Sequence, residues 1–301
     1  MHFIVTGGAG FVGSHLVKYL VKQHYSVTVI DNLCNGKKEN LSSILEKIEY
    51  VNLNILDFEK LRNYLKNVDG VFHQAALTNV QESFARKKEY SAVNVKGTEN
   101  ILKIAKEFGL KVVFASSASV YGNTKKIPIK EDSERKPINP YGETKLQAEY
   151  LCEKYAKLGL SILGLRYFNV YGEGQNDAYA GVITRFLENI KHGKAPTIFG
   201  DGFQVRDFVF VYDVAEANLL AMTNKAHHAF INIGSGIAIS IKELADMMIK
   251  ISGLKIDPAY DVAIKGDIRT SQADIELARK LLKWKPRTKL KDWLKEVIAK
   301  N

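Results

Sequence analysis

Cysteine is almost missing: Cys34 and Cys152 are the only two among 301 residues. They form no metal-ligand spacing and could not staple a secreted scaffold, so free thiols in a reducing cytoplasm are expected. Proline is sparse as well, with 6 residues, and no repeat or low-complexity segment breaks the chain. No apolar run approaches the roughly 20 residues of a membrane span. Glycines interrupt the first apolar stretch by residue 7, so a core strand rather than a cleavable signal is expected there. Long runs of one charge sign are also lacking. The net charge is +10, but acids interleave the lysines, as in Lys37-Lys38-Glu39 and Arg86-Lys87-Lys88-Glu89. Without zinc spacing, an RNP-like aromatic strand or a basic run, nucleic-acid binding is not expected.

What is present begins at residue 2. Phe3-Ile4-Val5 reads as a buried parallel strand, followed by Gly7, Gly8, Gly10 and Gly13 and by Phe11, Val12, Leu16, Val17 and Leu20 at helical spacing. Such glycines allow a tight turn, a close approach of backbone N–H groups to a pyrophosphate, and a helix set close to its sheet. The helix N-terminus faces the ligand's negative charge. A second strand, Ser26–Ile30, ends on Asp31, whose carboxylate suits ribose hydroxyls and repels a 2′-phosphate. NAD is therefore favoured over NADP.

Strand and helix patterns alternate onwards. Helices are expected over Leu41–Ile48, Phe58–Leu65, Tyr90–Phe108 and Tyr141–Lys157, and strands over Tyr50–Leu53, Gly70–Phe72, Lys111–Ala115 and Ile162–Arg166. The order implies an α/β fold, a Rossmann-type doubly wound parallel sheet. From Asn169 glycines and aromatics cluster and strands shorten, as in a smaller α/β substrate-binding domain. The expected division is a dinucleotide-binding domain over 1–167 and a discontinuous substrate domain over 168–301. A segment near 208–234, with Ala229–Ile233 as a strand, returns to the main sheet.

Ser116-Ser117 follow the fifth strand directly, and Tyr141 and Lys145 share a helix face at i, i+4. At this point the chain resembles the extended short-chain dehydrogenase/reductase superfamily, and most closely its sugar-nucleotide 4-epimerases. The likeness runs through TGGAGFVG at 6–13, HQAA at 73–76, NVKGT at 94–98, FASSASVYG at 114–122, YGETK at 141–145, RYFNVYG at 166–172 and GDGFQVRDF at 200–208. It implies an isomerase that recycles NAD through a transient 4-keto sugar. Tyr141 would be the acid/base, Lys145 would lower its pKa, and Ser117 would hydrogen-bond the 4-hydroxyl. A free phenol, with a pKa of about 10, is a poor base at neutral pH, and a nearby ammonium and the nicotinamide charge favour phenolate. Similar dehydratases carry Asp-Glu after the hydroxyl residue, whereas this chain has Ala118 and Ser119. A 4-keto sugar would then be reduced on its other face.

The resemblance carries other positions over. Gly7, Gly10, Phe11, Val12, Gly13, Asp31, Asn32, Asn54, Ile55, Ala75, Ala76, Asn94, Tyr141 and Lys145 would lie along NAD, Lys145 holding the nicotinamide ribose. Thr78, Asn169, Ala180-Gly181-Val182, Thr197, Phe199, Gln204, Arg206, Asp267 and Ser271 would frame a UDP-sugar, with Arg206 on the diphosphate and Asp267 on the ribose. The positive net charge suits that substrate. Asn54 replaces a frequent adenine-contacting aspartate, and Ile264 stands near a frequent second phosphate-binding arginine, leaving Lys265 or Arg269 to substitute. Ser271 replaces a bulky aromatic of glucose/galactose-restricted members, so an N-acetyl group at C2 would fit. His73 is expected to pack under the sheet edge. No metal is implied. The two long helices are expected to pair in a homodimer. UDP-glucuronate 4-epimerisation and, in another class, non-catalytic NAD sensing are the alternatives.

Overall fold

The structure, a computed structural model, describes residues 1–124, 126–175 and 181–300. Its first part alternates β1 (His2–Thr6), α1 (Phe11–Lys22), β2 (Ser26–Ile30), β3 (Glu49–Val51), α2 (Phe58–Leu65), β4 (Gly70–His73), α3 (Val80–Ala85), α4 (Lys87–Tyr90), α5 (Thr98–Phe108), β5 (Lys111–Ser117), α6 (Pro140–Lys157) and β6 (Ile162–Tyr167). There follow β7 (Asn169–Tyr171), α7 (Val182–Lys191), β8 (Thr197–Phe199), β9 (Val205–Phe210), α8 (Val211–Thr223), β10 (His228–Ile233), β11 (Ala238–Ser240), α9 (Ile241–Ser252), β12 (Ala259–Asp261) and α10 (Leu290–Ala299).

Seven parallel strands pair in the order β3-β2-β1-β4-β5-β6-β10. Both faces are covered, which is why the strands read as unbroken apolar runs rather than alternating ones. Leu16, Leu20, Val214 and Trp284 pack on one face, and Leu61, Ile101, Ala148 and Cys152 on the other. A separate core of Phe186, Ile198, Leu244, Met248 and Trp293 supports the later elements. The strand order reverses between β1 and β4, which opens a crevice at the carboxyl edge of the sheet.

Local departures from the sequence pattern have physical causes. Lys38–Lys47 forms a 3₁₀ helix, matching the spacing of three between Leu41 and Ile44. β3 stops at Val51 because only three of its residues pair with β2. β5 runs on through Ser116 and Ser117, which pair with Arg166 and Tyr167. The stretch expected as one helix from Tyr90 contains a π-helical segment, Ser91–Gly97, where a Cβ on Gly97 would collide with Ile55.

Candidate active site

Main chain forms much of the first cleft, which encloses about 410 Å³. At Gly7 φ is +69°, and a Cβ there would lie 2.6 Å from Ala75 N. A Cβ on Gly13 would run into the Gly7 carbonyl. Glycine is thus required for the turn to pass under the β4 loop and for α1 to sit against it. Gly10, Phe11 and Val12 line the cleft at the start of α1, where unpaired backbone donors face any anion. Asp31 sits at the far end, its Oδ2 accepting from Ala9 N at 2.9 Å and its Oδ1 from Leu33 N at 2.8 Å. Burial pushes its carboxyl up, and these two backbone donors pull it back. Asn32, Asn54, Ile55, Ala75 and Ala76 complete the wall. A glycine-lined anion cradle with a carboxylate at its remote end fits a dinucleotide.

Asn94 is placed elsewhere. It is buried, and its amide bonds both the N–H and the carbonyl of Leu77 as well as Thr144 Oγ1. It braces the loop after β4 from behind. His73 also packs inside, between Thr6 Oγ1 at 2.8 Å and Thr98 Oγ1 at 2.9 Å. Thr98 spends its own proton on the Asn94 carbonyl, so this network assigns the His73 proton to Nε2. Burial, with Lys145 nearby, pushes its pKa down to about 3.

Ser117, Tyr141 and Lys145 all line the first cleft, and the first two also line a second cavity of about 430 Å³. Helix α6 starts where Asn139 accepts from Gly142 N at 2.8 Å, with Pro140 in its first turn. Lys145 Nζ donates to the Ala115 carbonyl at 2.8 Å and lies 5.3 Å from the Phe114 ring centroid. Burial pushes this ammonium down to about 8. It also pushes Tyr141 up to about 12, against a hydrogen bond from Ser117 that lowers it. In the protein alone, desolvation therefore outweighs the phenolate stabilisation expected of Lys145. Ser117 Oγ accepts from Ser119 Oγ at 2.8 Å, which leaves its own proton to point elsewhere.

The second cavity gathers Thr78, Asn169, Arg206, Asp267 and Ser271 with Ser117 and Tyr141. Arg206 does not pair with its neighbour Asp207. Its Nη2 bonds Asp267, and its Nη1 donates to the Val205 carbonyl at 2.8 Å. Asp207 instead accepts from Ser235, Gly236 and Ala273 N–H groups. Val182 lines the first cleft rather than the second. Thr197 and Phe199 lie on β8, paired with β12, and Gln204 is buried with its Nε2 donating to the Phe199 carbonyl at 2.7 Å. Those three reach neither wall; Ala180 lies outside the described residues.

Arg185 was not foreseen, yet it lines the second cavity, its guanidinium 5.4 Å from the Phe199 ring centroid. It stands one helical turn after Val182 on α7, where an exposed arginine carries no signal of its own in the sequence. Neither proposed substitute is on the wall: Arg269 pairs with Asp201, and Lys265 lies over Phe84. Among the described residues, no group of three or more His, Cys, Asp or Glu could hold a metal ion, and no helix is long and apolar enough to cross a membrane.

Residues 3–234 match the family described as NAD dependent epimerase/dehydratase. A Methanocaldococcus jannaschii protein provisionally named as a UDP-glucose 4-epimerase is 40% identical over 98% of this chain and 96% of its own length. The Thermotoga maritima UDP-glucose 4-epimerase, solved with UDP-glucose, superposes with a TM-score of 0.94 at 37% identity, covering 99% of this chain and 98% of that one. The Bacillus cereus UDP-glucuronic acid 4-epimerase, solved with UDP-glucuronic acid and NAD, gives 0.92 at 32% identity, covering 100% and 99%. The glycine cradle, Asp31 and these likenesses agree: the chain is an enzyme of the NAD-dependent epimerase/dehydratase family, with NAD as its cofactor.

Proposed function

We propose that the protein is an isomerase that inverts C4 of a UDP-hexose: UDP-glucose and UDP-galactose, and their N-acetyl forms. The observation that carries this reading is the chemistry of the second cavity. Among its described lining residues Asp267 is the one carboxylate, and it is engaged by Arg206. Among the described residues of this cavity, no free acid stands with Ser117 and Tyr141 to remove a C5 proton or to assist loss of a C6 group. The residues at the junction can handle one hydroxyl proton and little else.

Gly7, Gly10, Phe11, Val12, Gly13, Asp31, Asn32, Asn54, Ile55, Ala75 and Ala76 would hold NAD. When bound, NAD would supply a hydride acceptor for a carbinol carbon and a positive charge that favours the Tyr141 phenolate. Tyr141 takes the 4-hydroxyl proton as general base and gives it back to the ketone oxygen. Ser117 donates to that oxygen, its proton freed by the bond it accepts from Ser119. Lys145 holds its charge near the phenol from an anchor on the Ala115 carbonyl. Arg206 and Arg185 would meet the diphosphate, guanidinium forks being well matched to phosphate oxygens. Asp267 would then turn to the ribose. We further propose that the working form is a cytoplasmic homodimer paired through α5 and α6.

Ser271 is buried at the cavity wall; its small side chain supports room for an N-acetyl group. Ser271→Tyr should abolish activity on UDP-N-acetylglucosamine alone, and equal loss on UDP-glucose would remove that assignment. The hydroxyls of Thr78, Ser117 and Ser119, with Arg185, line the same cavity and keep UDP-glucuronate 4-epimerisation as the second reading. Incubating the NAD-loaded protein with each sugar nucleotide, followed by anion-exchange chromatography, tests both. A C4 epimer from UDP-glucose supports the first reading, and one from UDP-glucuronate alone the second. Bound NAD with no product from UDP-glucose, UDP-N-acetylglucosamine or UDP-glucuronate would favour a sensing protein.

A further inference from the structure

Behind the catalytic face lies a buried charged network that the proposed reaction does not touch. Glu149 is one helical turn from Lys145 and two from Tyr141 on α6, and it is fully buried. Its Oε1 accepts from Ser116 Oγ at 2.6 Å and from Arg166 Nε at 2.8 Å. Its Oε2 accepts from Arg166 Nη2 at 2.9 Å and from Arg135 Nη1 at 3.0 Å. Arg166, on β6, also donates to Tyr121 Oη at 2.7 Å, and that phenol donates to Asn232 Oδ1 on β10 at 2.7 Å. One carboxylate thus ties the helix carrying Tyr141 and Lys145 to the residue before Ser117 and to the ends of β6 and β10.

A buried ion pair of this kind is poor value as a stabiliser, since an apolar pair of similar volume is often as good. Its placement points to another use. We propose that Glu149 is a positioning residue: its carboxylate sets Ser117 against Tyr141 and supplies the anion that keeps Lys145 an ammonium ion. The kinetic side of this rests on the epimerase reading.

The surroundings of Lys145 show why an anion is needed. Burial disfavours its charge, and Cys152 and Glu149 oppose that effect. The Cys152 thiol is itself pushed up by burial and stays neutral, so Glu149 is the effective anion. From the other elements, Arg166 on β6 and Arg135 in the loop before α6 bring positive charge, offset by Glu149 and Glu153. His73 on β4 is neutral, and Glu131 faces Asn232 rather than Lys145. Replacing Glu149 by glutamine leaves the Arg166 guanidinium without a carboxylate behind Lys145, while Arg135 keeps Glu153. The lysine then deprotonates at lower pH, Tyr141 loses its cation, and the phenol ionises at higher pH.

The test uses the NAD-loaded protein with UDP-glucose and the variant Glu149→Gln. With this variant kcat should fall about ten-fold with KM changed by less than about two-fold. The rising limb of the kcat–pH profile should move up by about one pH unit. The tyrosinate difference spectrum, taken against Tyr141→Phe as reference, should shift the same way. This spectrum needs no sugar, so it decides the electrostatic claim even if the protein epimerises nothing. A lowered kcat with the limb and the spectrum at their original pH would make Glu149 merely structural and overturn the proposal. If Glu149→Gln does not fold, Ser116→Ala decides, because it keeps the ion pair and removes one hydroxyl. A fall in kcat at unchanged KM supports positioning, and unchanged kcat overturns it.

Discussion

The dinucleotide cleft takes its anion cradle and its remote carboxylate from one stretch, residues 7–31, whereas the cavity beside it draws side chains from segments scattered between residues 78 and 271. Recognition by main chain demands glycine at particular points, as at Gly7, where φ is positive and Ala75 leaves no room for a Cβ. Recognition by side chains makes no such demand, and any helix or strand can contribute. The first kind of site is therefore rigid and general to a cofactor class. The second, on the proposed reading, is where substrate choice is made, and it is free to vary.

Four substitutions probe this division. The largest effect belongs to the junction: Tyr141→Phe should lower kcat about a thousand-fold while the protein still retains NAD. Turnover that survives the change would remove Tyr141 as the base. On the sugar side, Arg206→Ala should weaken UDP binding about ten- to a hundred-fold by calorimetry, through loss of charge-assisted hydrogen bonds. NAD affinity should not move, and a matching loss there would dissolve the separation between the two sites. On the cofactor side, Asp31→Asn should weaken NAD about ten-fold, the worth of a hydrogen bond to a charged group. It should also narrow the discrimination against NADP, with UDP binding unchanged.

The smallest effect concerns pH. His73 titrates at about 3 in the folded protein and near 6.5 when unfolded. Between those values the unfolded chain binds a proton that the folded one does not, so stability falls as pH drops through 6.5 toward 3. The slope is at most about 1.4 kcal/mol per pH unit. The urea midpoint should therefore drop more between pH 7 and pH 5 in the wild type than in His73→Asn. Parallel drops would show that another group carries the acid sensitivity.

The same division decides how much was legible in the sequence. Strand, glycines, helix and Asp31 follow one another within 31 residues, and the structure puts them where that spacing implies. The i, i+4 spacing of Tyr141 and Lys145 likewise survives as one helix face at the cleft. Arg185 went unseen because an exposed arginine on an amphipathic helix looks like any solvated charge, and only the fold brings it to Arg206 and Asp267. Asn94 and Gln204 show the converse. Both belong to recognisable motifs, but their side chains turn inward to satisfy backbone groups of Leu77 and Phe199. A motif marks a segment, whereas the direction of a side chain depends on which buried donors and acceptors need partners. The Glu149 network belongs to the same class, since its members come from β5, β6, α6 and the loop before α6.

On the proposed reading, this site handles the 4-hydroxyl, and its described residues include no free acid for C5 or C6. The most direct measurement is turnover of UDP-glucose by the NAD-loaded protein in deuterated water, with products resolved by mass spectrometry and NMR. The expected product is a C4 epimer with no carbon-bound deuterium. Deuterium at C5 or C6, or a product lighter by one water, would contradict it.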